Sequence, residues 1–450
     1  MRTDSGHGSP GGTAPGAAGG AAPMRAPGPA GPLRVLLGAF GDPGHAFPMI
    51  ALGRGLRARG HEVTLQTWRR WQEAVEAEGL AFAAAPEYEV FPTPSAGGDG
   101  RAEPLDFYEA VPYATRDTEP LVRELRPDVL VADILTLAPA LAAEMHGVPA
   151  ATLIPHVHPE SADGFPIYSF GARLPRTAVG RAAWRIAQRP VDRGLRNGRD
   201  ALNGVRAEVG LPPLTHFHSG ISRRLALVGS FPQLEYPRRW PGHVHVVGPL
   251  MWEPEGDAVL PREAPRSPGA SGPRDDWPVV LVAPSTSQDP DHRLLRAALD
   301  GLAGLPVRVI ATWNRRLPPK PLPVPANTRL VEWVSYGRTM PRCDLVICHA
   351  GYGTVARALA SGCAVLACPV AGDMNENAAR VAWAGVGARL PRRFIAPRPL
   401  KLAVEQILGD DALRARAKGL AAWAQTHDPA ADAAALIEQL AAASAASLVE

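Results

Sequence analysis

The chain has 450 residues, 46% of them hydrophobic and 20% charged, with a formal net charge of +3. At roughly 100–200 residues per domain, that length predicts two domains or three. Charges of both signs are interspersed, with neither an arginine stripe nor interleaved aromatics, which argues against a nucleic-acid surface, and no apolar run reaches the ~18 residues of a membrane helix.

Residues 1–31 are dense in Gly, Ala and Pro and lack the apolar centre of a signal peptide, so they predict a disordered lead. "LRVLLGAF" then predicts a buried strand. The turn "GDPGHAFP", Gly41 to Pro48, follows with His45 in it, and "MIALGRGLRARG" predicts a helix. "HEVTLQT" predicts the next strand and "RRWQEAVEAEG" the next helix, then come "DVLVAD", "LAPALAAEMHG" and "PAATLIP". Short Val/Leu/Ile-rich runs alternating with helical patterns predict parallel strands buried on both faces. The rhythm breaks between Pro237 and Pro278, where Pro, Gly and charge accumulate. It restarts with "VVLVAPSTS", "VRVIATW", "DLVICHAG" and "AVLACPVAG", and the chain ends in helical patterns. The expected organisation is a first α/β domain over 32–250, a linker over 251–277, a second α/β domain over 278–412, and helices over 413–450 that pack back toward the first domain. Cys343, Cys348, Cys363 and Cys368 sit in apolar runs without a metal-type spacing, which predicts reduced, buried thiols in a cytoplasmic protein.

Open parallel sheets bind ligands at the carboxyl ends of their strands, so the chemistry is expected in the loops after strands. After "DLVIC" come His349, Gly351, Gly353 and Thr354, then a helix. A glycine turn at a helix start offers free N–H groups and the positive end of the dipole to a phosphate. Asp373 stands three residues before Glu376, a capping-box spacing, and its carboxylate is equally suited to sugar hydroxyls. Asp289 and Asp291 flank a proline and read as plain loop, so no metal is expected. Gly38, Gly41 and Gly44 do not match the dinucleotide G-x-G-x-x-G, and no acid ends the second strand, which argues against a nicotinamide cofactor.

These stretches resemble glycosyltransferase family one, which includes plant secondary-product and bacterial macrolide and antibiotic glycosyltransferases. The likeness runs from about Leu33 onward and is sharp in three stretches: the Gly-His-x-x-Pro turn with His45 and Pro48, the strand ending in Asp133, and the segment from Trp333 to Asn377. It implies a GT-B fold, two Rossmann-like parallel-sheet domains facing across a cleft. It implies that His45 is the catalytic base, with Asp133 beside it, and that Trp333 stacks on the donor base. His349, Gly351, Gly353 and Thr354 would hold the diphosphate, with Ser285 and Thr286 touching it. Asp373 would hold the sugar, and Asn377 completes that element. A neutral imidazole with a carboxylate on its other nitrogen is suited to take an acceptor hydroxyl's proton.

The departures from the family pattern concern the donor. Met374 replaces a glutamine and cannot bond two hydroxyls, and Arg357 replaces a glutamate that holds ribose hydroxyls. Both point to a dTDP-activated deoxysugar, with a UDP-sugar as the alternative, and both Arg357 and Met374 are candidate donor contacts. His156 and His158 are expected to line the acceptor pocket. The expected enzyme is an inverting glycosyltransferase, monomeric or homodimeric, acting on a small-molecule natural product and using no cofactor beyond its nucleotide-sugar co-substrate. The rival readings are a transferase for a lipid-linked acceptor at the membrane surface and a non-catalytic nucleotide-binding relic.

Overall fold

The computed structural model describes residues 31–87, 110–216, 220–254, 274–285, 289, 291–314, 318, 321–370 and 372–446. The expected disordered lead (bar its last residue), most of the expected linker and Thr286 lie outside the described residues.

The first domain runs β1 (Arg34–Gly38), α1 (Pro43–Ala58), β2 (Glu62–Thr67), α2 (Gln72–Ala77), β3 (Ala81–Ala84), α3 (Val111–Leu125), β4 (Val129–Asp133), α4 (Leu137–Met145), β5 (Ala150–Ile154), α5 (Ala178–Glu208), β6 (Ala226–Val228) and β7 (Val244–Val246). Its strands are all parallel, in the order β3-β2-β1-β4-β5-β6-β7. The second runs β8 (Val279–Ala283), α6 (Arg293–Leu302), β9 (Arg308–Thr312), β10 (Thr328–Val331), α7 (Tyr336–Thr339), β11 (Leu345–Cys348), α8 (Tyr352–Ala360), β12 (Ala364–Ala367), α9 (Asp373–Trp383), β13 (Gly387–Arg389) and α10 (Pro397–Gly409). Its parallel order is β10-β9-β8-β11-β12-β13.

The strand composition explains this architecture. β4 (VLVAD) and β8 (VVLVA) are buried at every position. Only a parallel sheet covered by helices on both faces hides every residue of a strand in that way. In each sheet the winding reverses beside the first strand, between β1 and β4 and between β8 and β11. The loops leaving those two strands diverge and open a crevice at their carboxyl ends.

Two local expectations are corrected. The turn carrying His45 is already helical, because α1 begins at Pro43 rather than after Pro48. Asp42 is extended, proline occupies the first turn, and the Asp42 carbonyl accepts from His45 N at 2.9 Å and Ala46 N at 2.8 Å, which closes that turn. The stretch expected as one helix from Arg69 splits into a 3₁₀ turn, Arg69–Trp71, and the short α2. There Arg70 and Trp71 turn their side chains back onto the Gly41 carbonyl.

The last two helices go to different domains. α11 (Asp411–Thr426) stays on the second, where Ala417 and Leu420 join its core. α12 (Pro429–Ala446) crosses to the first and buries Ala433, Ala434 and Ile437 with Met49, Ile50 and Leu52 of α1. The crossing is close: a Cβ on Gly55 would stand 2.7 Å from that of Ala430. Glu438 fastens the helix, accepting from Arg59 at 2.6 and 2.7 Å and from His61 Nε2 at 2.8 Å. His61 Nδ1 accepts from Leu33 N at 3.1 Å, so the ring proton sits on Nε2 and points at Glu438. The Arg59 hydrogen bond, with His61 behind it, holds the Glu438 carboxyl below its ordinary 4.5 against the opposing effect of burial. A depressed carboxyl stabilises the fold above its unfolded pKa and ceases to do so as pH falls through the folded one. Glu438→Gln is therefore expected to cost roughly 1–2 kcal/mol at neutral pH. The gap to wild type should close below pH 4.5, which thermal melts across pH would check. Among the described residues, no helix is long and apolar enough to cross a membrane.

Candidate active site

His45 and Asp133 lie 88 residues apart in sequence, yet Asp133 ends β4 and His45 stands in the first turn of the helix that follows the adjacent β1. His45 Nδ1 is 2.7 Å from Asp133 Oδ1, and the second carboxylate oxygen accepts from Leu135 N at 3.3 Å. Asp133 is 1% exposed and the His45 side chain 16%, so the pair is sheltered with one edge of the imidazole open. A carboxylate on Nδ1 fixes the proton there and leaves Nε2 as a bare base. Burial by itself would lower the imidazole pKa. The charge and hydrogen bond of Asp133, helped by Asp42 and Asp373, outweigh it and raise the pKa above 6.5.

The loop under His45 is locked from behind. The Gly41 carbonyl accepts from Trp71 Nε1 at 2.7 Å and from both Nε and a terminal nitrogen of Arg70, whose guanidinium lies over the Trp68 and Trp71 rings. Trp68 packs so tightly on Gly41 that no Cβ fits there. Trp68 also packs edge-on against Phe40, 5.0 Å away, and Phe40 meets the His45 ring at 6.1 Å.

The second crevice holds His349 after β11 and Ser285 after β8, in a pocket also lined by Asp289, Arg293 and Arg392. Burial lowers the His349 pKa, opposed by a backbone contact with Ala283 and by the charges of Asp373 and Asp289. Ala350, next in the chain, is in the left-handed region at φ 67°. Gly351 is required sterically, because a Cβ there would stand 2.5 Å from His349 Nε2. Gly353 faces open space in the first turn of α8, and Thr354 follows it. The amide end of α8 has no side-chain cap and so keeps free donors. Gly351→Ala should push the imidazole aside and weaken nucleoside diphosphate binding by roughly tenfold, the loss of one good hydrogen bond. Titration calorimetry would check this, and unchanged affinity would mean that the imidazole does not touch the phosphates.

Asp373 is not the helix cap that its spacing with Glu376 predicted. Gly372, at φ 55°, takes that position with no side-chain bond, and Asp373 is the first residue of α9. The Asp373 carboxylate accepts from Asn377 Nδ2 at 3.2 Å, and the same nitrogen donates to the Ala350 carbonyl at 3.0 Å. Asn377 is 1% exposed, so it ties the α9 turn to the His349 loop from inside. Asp373 bears on His45, His156 and His349 alike, which puts its charge between the two crevices. Met374 is partly buried against the edge of the second core.

The other expected site residues divide. Trp333 is half-buried just past β10, at the carboxyl edge of the second sheet. His156 faces the cleft charges and its Nδ1 is 3.3 Å from the Tyr168 hydroxyl. His158 departs from the pocket wall expected for it: it is 1% exposed, its ring packs on Trp240, and its backbone N donates to Glu235. Arg357 is used by the fold, donating to the Trp252 carbonyl at 3.1 Å. Its neighbour Glu253 accepts from Tyr336 N and Gly337 N, both at 2.8 Å, and so caps α7 from the linker. Asp289 is likewise a cap, accepting from Arg293 N at 3.0 Å and Leu294 N at 3.1 Å. Among the described residues, no group of three or more His, Cys, Asp or Glu is arranged to hold a metal. Burial pushes the Cys343 and Cys348 thiols up to about 12, as for packed, reduced thiols. Sequence reasoning missed Arg70, Trp71, Glu253 and Arg380, which sit in charged or mixed segments that read as solvated surface.

Two parallel-sheet domains with their switch-point crevices turned to one cleft, one carrying a His–Asp pair and the other an uncapped helix start, define the GT-B class of glycosyltransferase. The comparisons agree. A family model described as "Erythromycin biosynthesis protein CIII-like, C-terminal domain" matches residues 296–440. The chain is 30% identical over 427 residues to 4'-demethylrebeccamycin synthase of Lentzea aerocolonigenes, covering 90% of this chain and 99% of that one. It is 31% identical over 431 residues to O-mycaminosyltylonolide 6-deoxyallosyltransferase of Streptomyces fradiae, covering 90% and 97%. The calicheamicin glycosyltransferase CalG4 superposes with a TM-score of 0.68 at 23% identity, covering 91% and 98%. The chain belongs to the bacterial natural-product glycosyltransferases and is a sugar-transferring enzyme of that kind.

Proposed function

We propose that the enzyme transfers a deoxysugar from a dTDP donor to a hydroxyl of a small natural product, with inversion at the anomeric carbon. The observation that carries the reading is the 2.7 Å contact between His45 Nδ1 and buried Asp133, which leaves Nε2 free at the cleft. His45 Nε2 takes the acceptor proton as its oxygen attacks the anomeric carbon from the face opposite the diphosphate. The bond to the diphosphate oxygen breaks, and the nucleoside diphosphate leaves with the electron pair. The imidazolium that forms is stabilised by Asp133. The negative charge growing on the leaving group is met by the α8 amide end and by His349, whose Nε2 lies against the Gly351 turn at that helix start. Asp373 holds sugar hydroxyls, Trp333 stacks on the base, and Ser285 and Thr354 touch the phosphates. No metal is required.

The donor reading rests on Met374 in place of a two-donor amide and on the 6-deoxyallosyl transfer named for the 31%-identical relative. A UDP-sugar is the alternative donor. Arg357, engaged with the linker, carries less weight for the nucleotide than its position in the sequence implied. The acceptor is expected to enter beside His156, and the four free, buried cysteines fit the cytoplasm, whose redox poise keeps thiols reduced. Thermal-shift titration with dTDP and UDP, followed by NMR of the product's anomeric centre, tests this. A ligand at 100 times its Kd stabilises the fold by roughly 2.7 kcal/mol, so a preference for dTDP would be visible. Retained anomeric configuration would rule out direct displacement.

A further inference from the structure

The two domains also meet through a buried ion cluster that the chemistry above does not use. Arg380 of α9 donates from Nε to Glu376 at 2.8 Å within its own helix. From one terminal nitrogen it donates to the Leu234 carbonyl and to Glu235 of the first domain, both at 3.2 Å. Its guanidinium lies over the Tyr236 ring at 3.5 Å. All three ionic side chains are nearly sealed, with 3% to 6% exposure. Glu235 is held in turn by His158 N at 2.9 Å.

As a stabilising device this cluster is poor. Two carboxylates share one guanidinium, and Glu376 Oε2 has no partner. Taking charges out of water costs more than such a pair commonly returns, and apolar packing would serve as well. As a geometric device it is apt. Residues 373, 377 and 380 follow one another up a single face of α9. Asn377 ties that face to the His349 loop and Arg380 ties it to the first domain. A second arginine acts at the helix start: Arg389 donates to Asn375 Oδ1 at 3.3 Å and to the Gly171 carbonyl of the first domain. Only a planar, forked cation can bond its own helix, bond a backbone carbonyl and a carboxylate across the interface, and stack on a ring at once.

We propose that Arg380, gripped by Glu235, is a positioning residue that sets where Asp373 stands relative to His45, and so aligns the donor's anomeric carbon with the acceptor oxygen. The proposal rests on the reading of Asp373 as the sugar contact. It predicts that Arg380 acts on the transfer step and not on the nucleotide, which is held by Trp333 and the His349 turn.

The test uses the full chain and the variants Arg380→Gln, Arg380→Lys and the isosteric Glu235→Gln, with the double variant Arg380→Gln/Glu235→Gln. Nucleoside diphosphate affinity is expected to stay within about twofold, while kcat falls on the order of 10²-fold, the cost of an ångström of misplacement. Lysine should rescue little, since it keeps the charge without the fork. The double variant should be no worse than the poorer single one, because both remove one tether. A lowered melting temperature with unchanged kcat, or equal losses in nucleotide affinity and kcat, would overturn the positioning role. Asp373→Asn separates the two readings. If it leaves donor KM and kcat unchanged, the sugar-contact reading fails and takes the proposal with it. If it impairs transfer while the Arg380 and Glu235 variants do not, the positioning role alone is overturned.

Discussion

Replacing His45 with alanine is expected to lower kcat by 10²- to 10⁴-fold and leave nucleoside diphosphate affinity unchanged, the range general-base help supplies. The selectivity follows from where the parts sit. His45 belongs to the first crevice, and the α8 start with His349 belongs to the second. Loss of the imidazole therefore touches the acceptor proton and nothing that holds the nucleotide. The pH profile gives a second reading of the same group. The base works only when neutral, and its pKa is raised above 6.5. The acid limb of kcat/KM is therefore expected above pH 6.5, with activity falling as pH drops through it. Asp133→Asn removes the largest influence holding that pKa up, so the limb should move to lower pH even as the maximal rate falls. An acid limb that ignores Asp133→Asn would mean that some other group titrates. Nucleotide binding lost together with activity in the His45 variant would point to a misfolded protein.

The second large effect is expected at Gly41. A methyl group there has no room against the Trp68 ring. Either the ring or the loop must move, and the loop's carbonyl is the acceptor for Arg70 and Trp71 while its next turn carries His45. Overpacking of this kind costs about 1–3 kcal/mol of stability. The shift of the base should cost roughly 10²-fold in kcat. The control is Trp71→Phe, which removes one donor to Gly41 and keeps a smaller aromatic ring there, and should be several-fold milder in both melting temperature and kcat. Equal activity in Gly41→Ala and wild type would show that the aromatic lock does not set the base.

Much of this architecture could be read from the chain because strands buried on both faces leave solid apolar runs, and the punctuating loops keep their Gly, His and Asp. The pairing of His45 with Asp133 is different in kind. It joins a helix start after one strand to the end of another, and those strands become neighbours only once the sheet is wound, so spacing could not supply it and a family resemblance had to. Helix-entry details were misjudged where a neighbour in space decides them: Pro43 rather than Pro48 begins α1, and Gly372 displaces Asp373 as the cap. Arg380, Glu235 and Glu253 were invisible for a simpler reason. A charged residue at a helical or loop position looks the same whether it meets water or a buried partner, and only the assembled interface tells the two apart. Arg357 shows the converse, since a residue singled out as a possible donor contact also bonds the Trp252 carbonyl of the linker, a partner no spacing suggests.

The crossing of α12 onto α1, and the reach of residues 231–236 into the second domain's packing, bear on the making of hybrids. Phe231 meets Trp423 and donates its N–H to the Tyr352 hydroxyl, while Tyr236 meets Trp383. A cut in the linker would thus not separate two interchangeable halves. A chimaera joining one parent's acceptor half to another's donor half would seat a foreign terminal helix on Gly55 and a foreign α9 on Glu235. Working exchanges should follow the contacts and not the linker, with α12 travelling with the half that owns α1, and residues 231–236 with the half that owns α9.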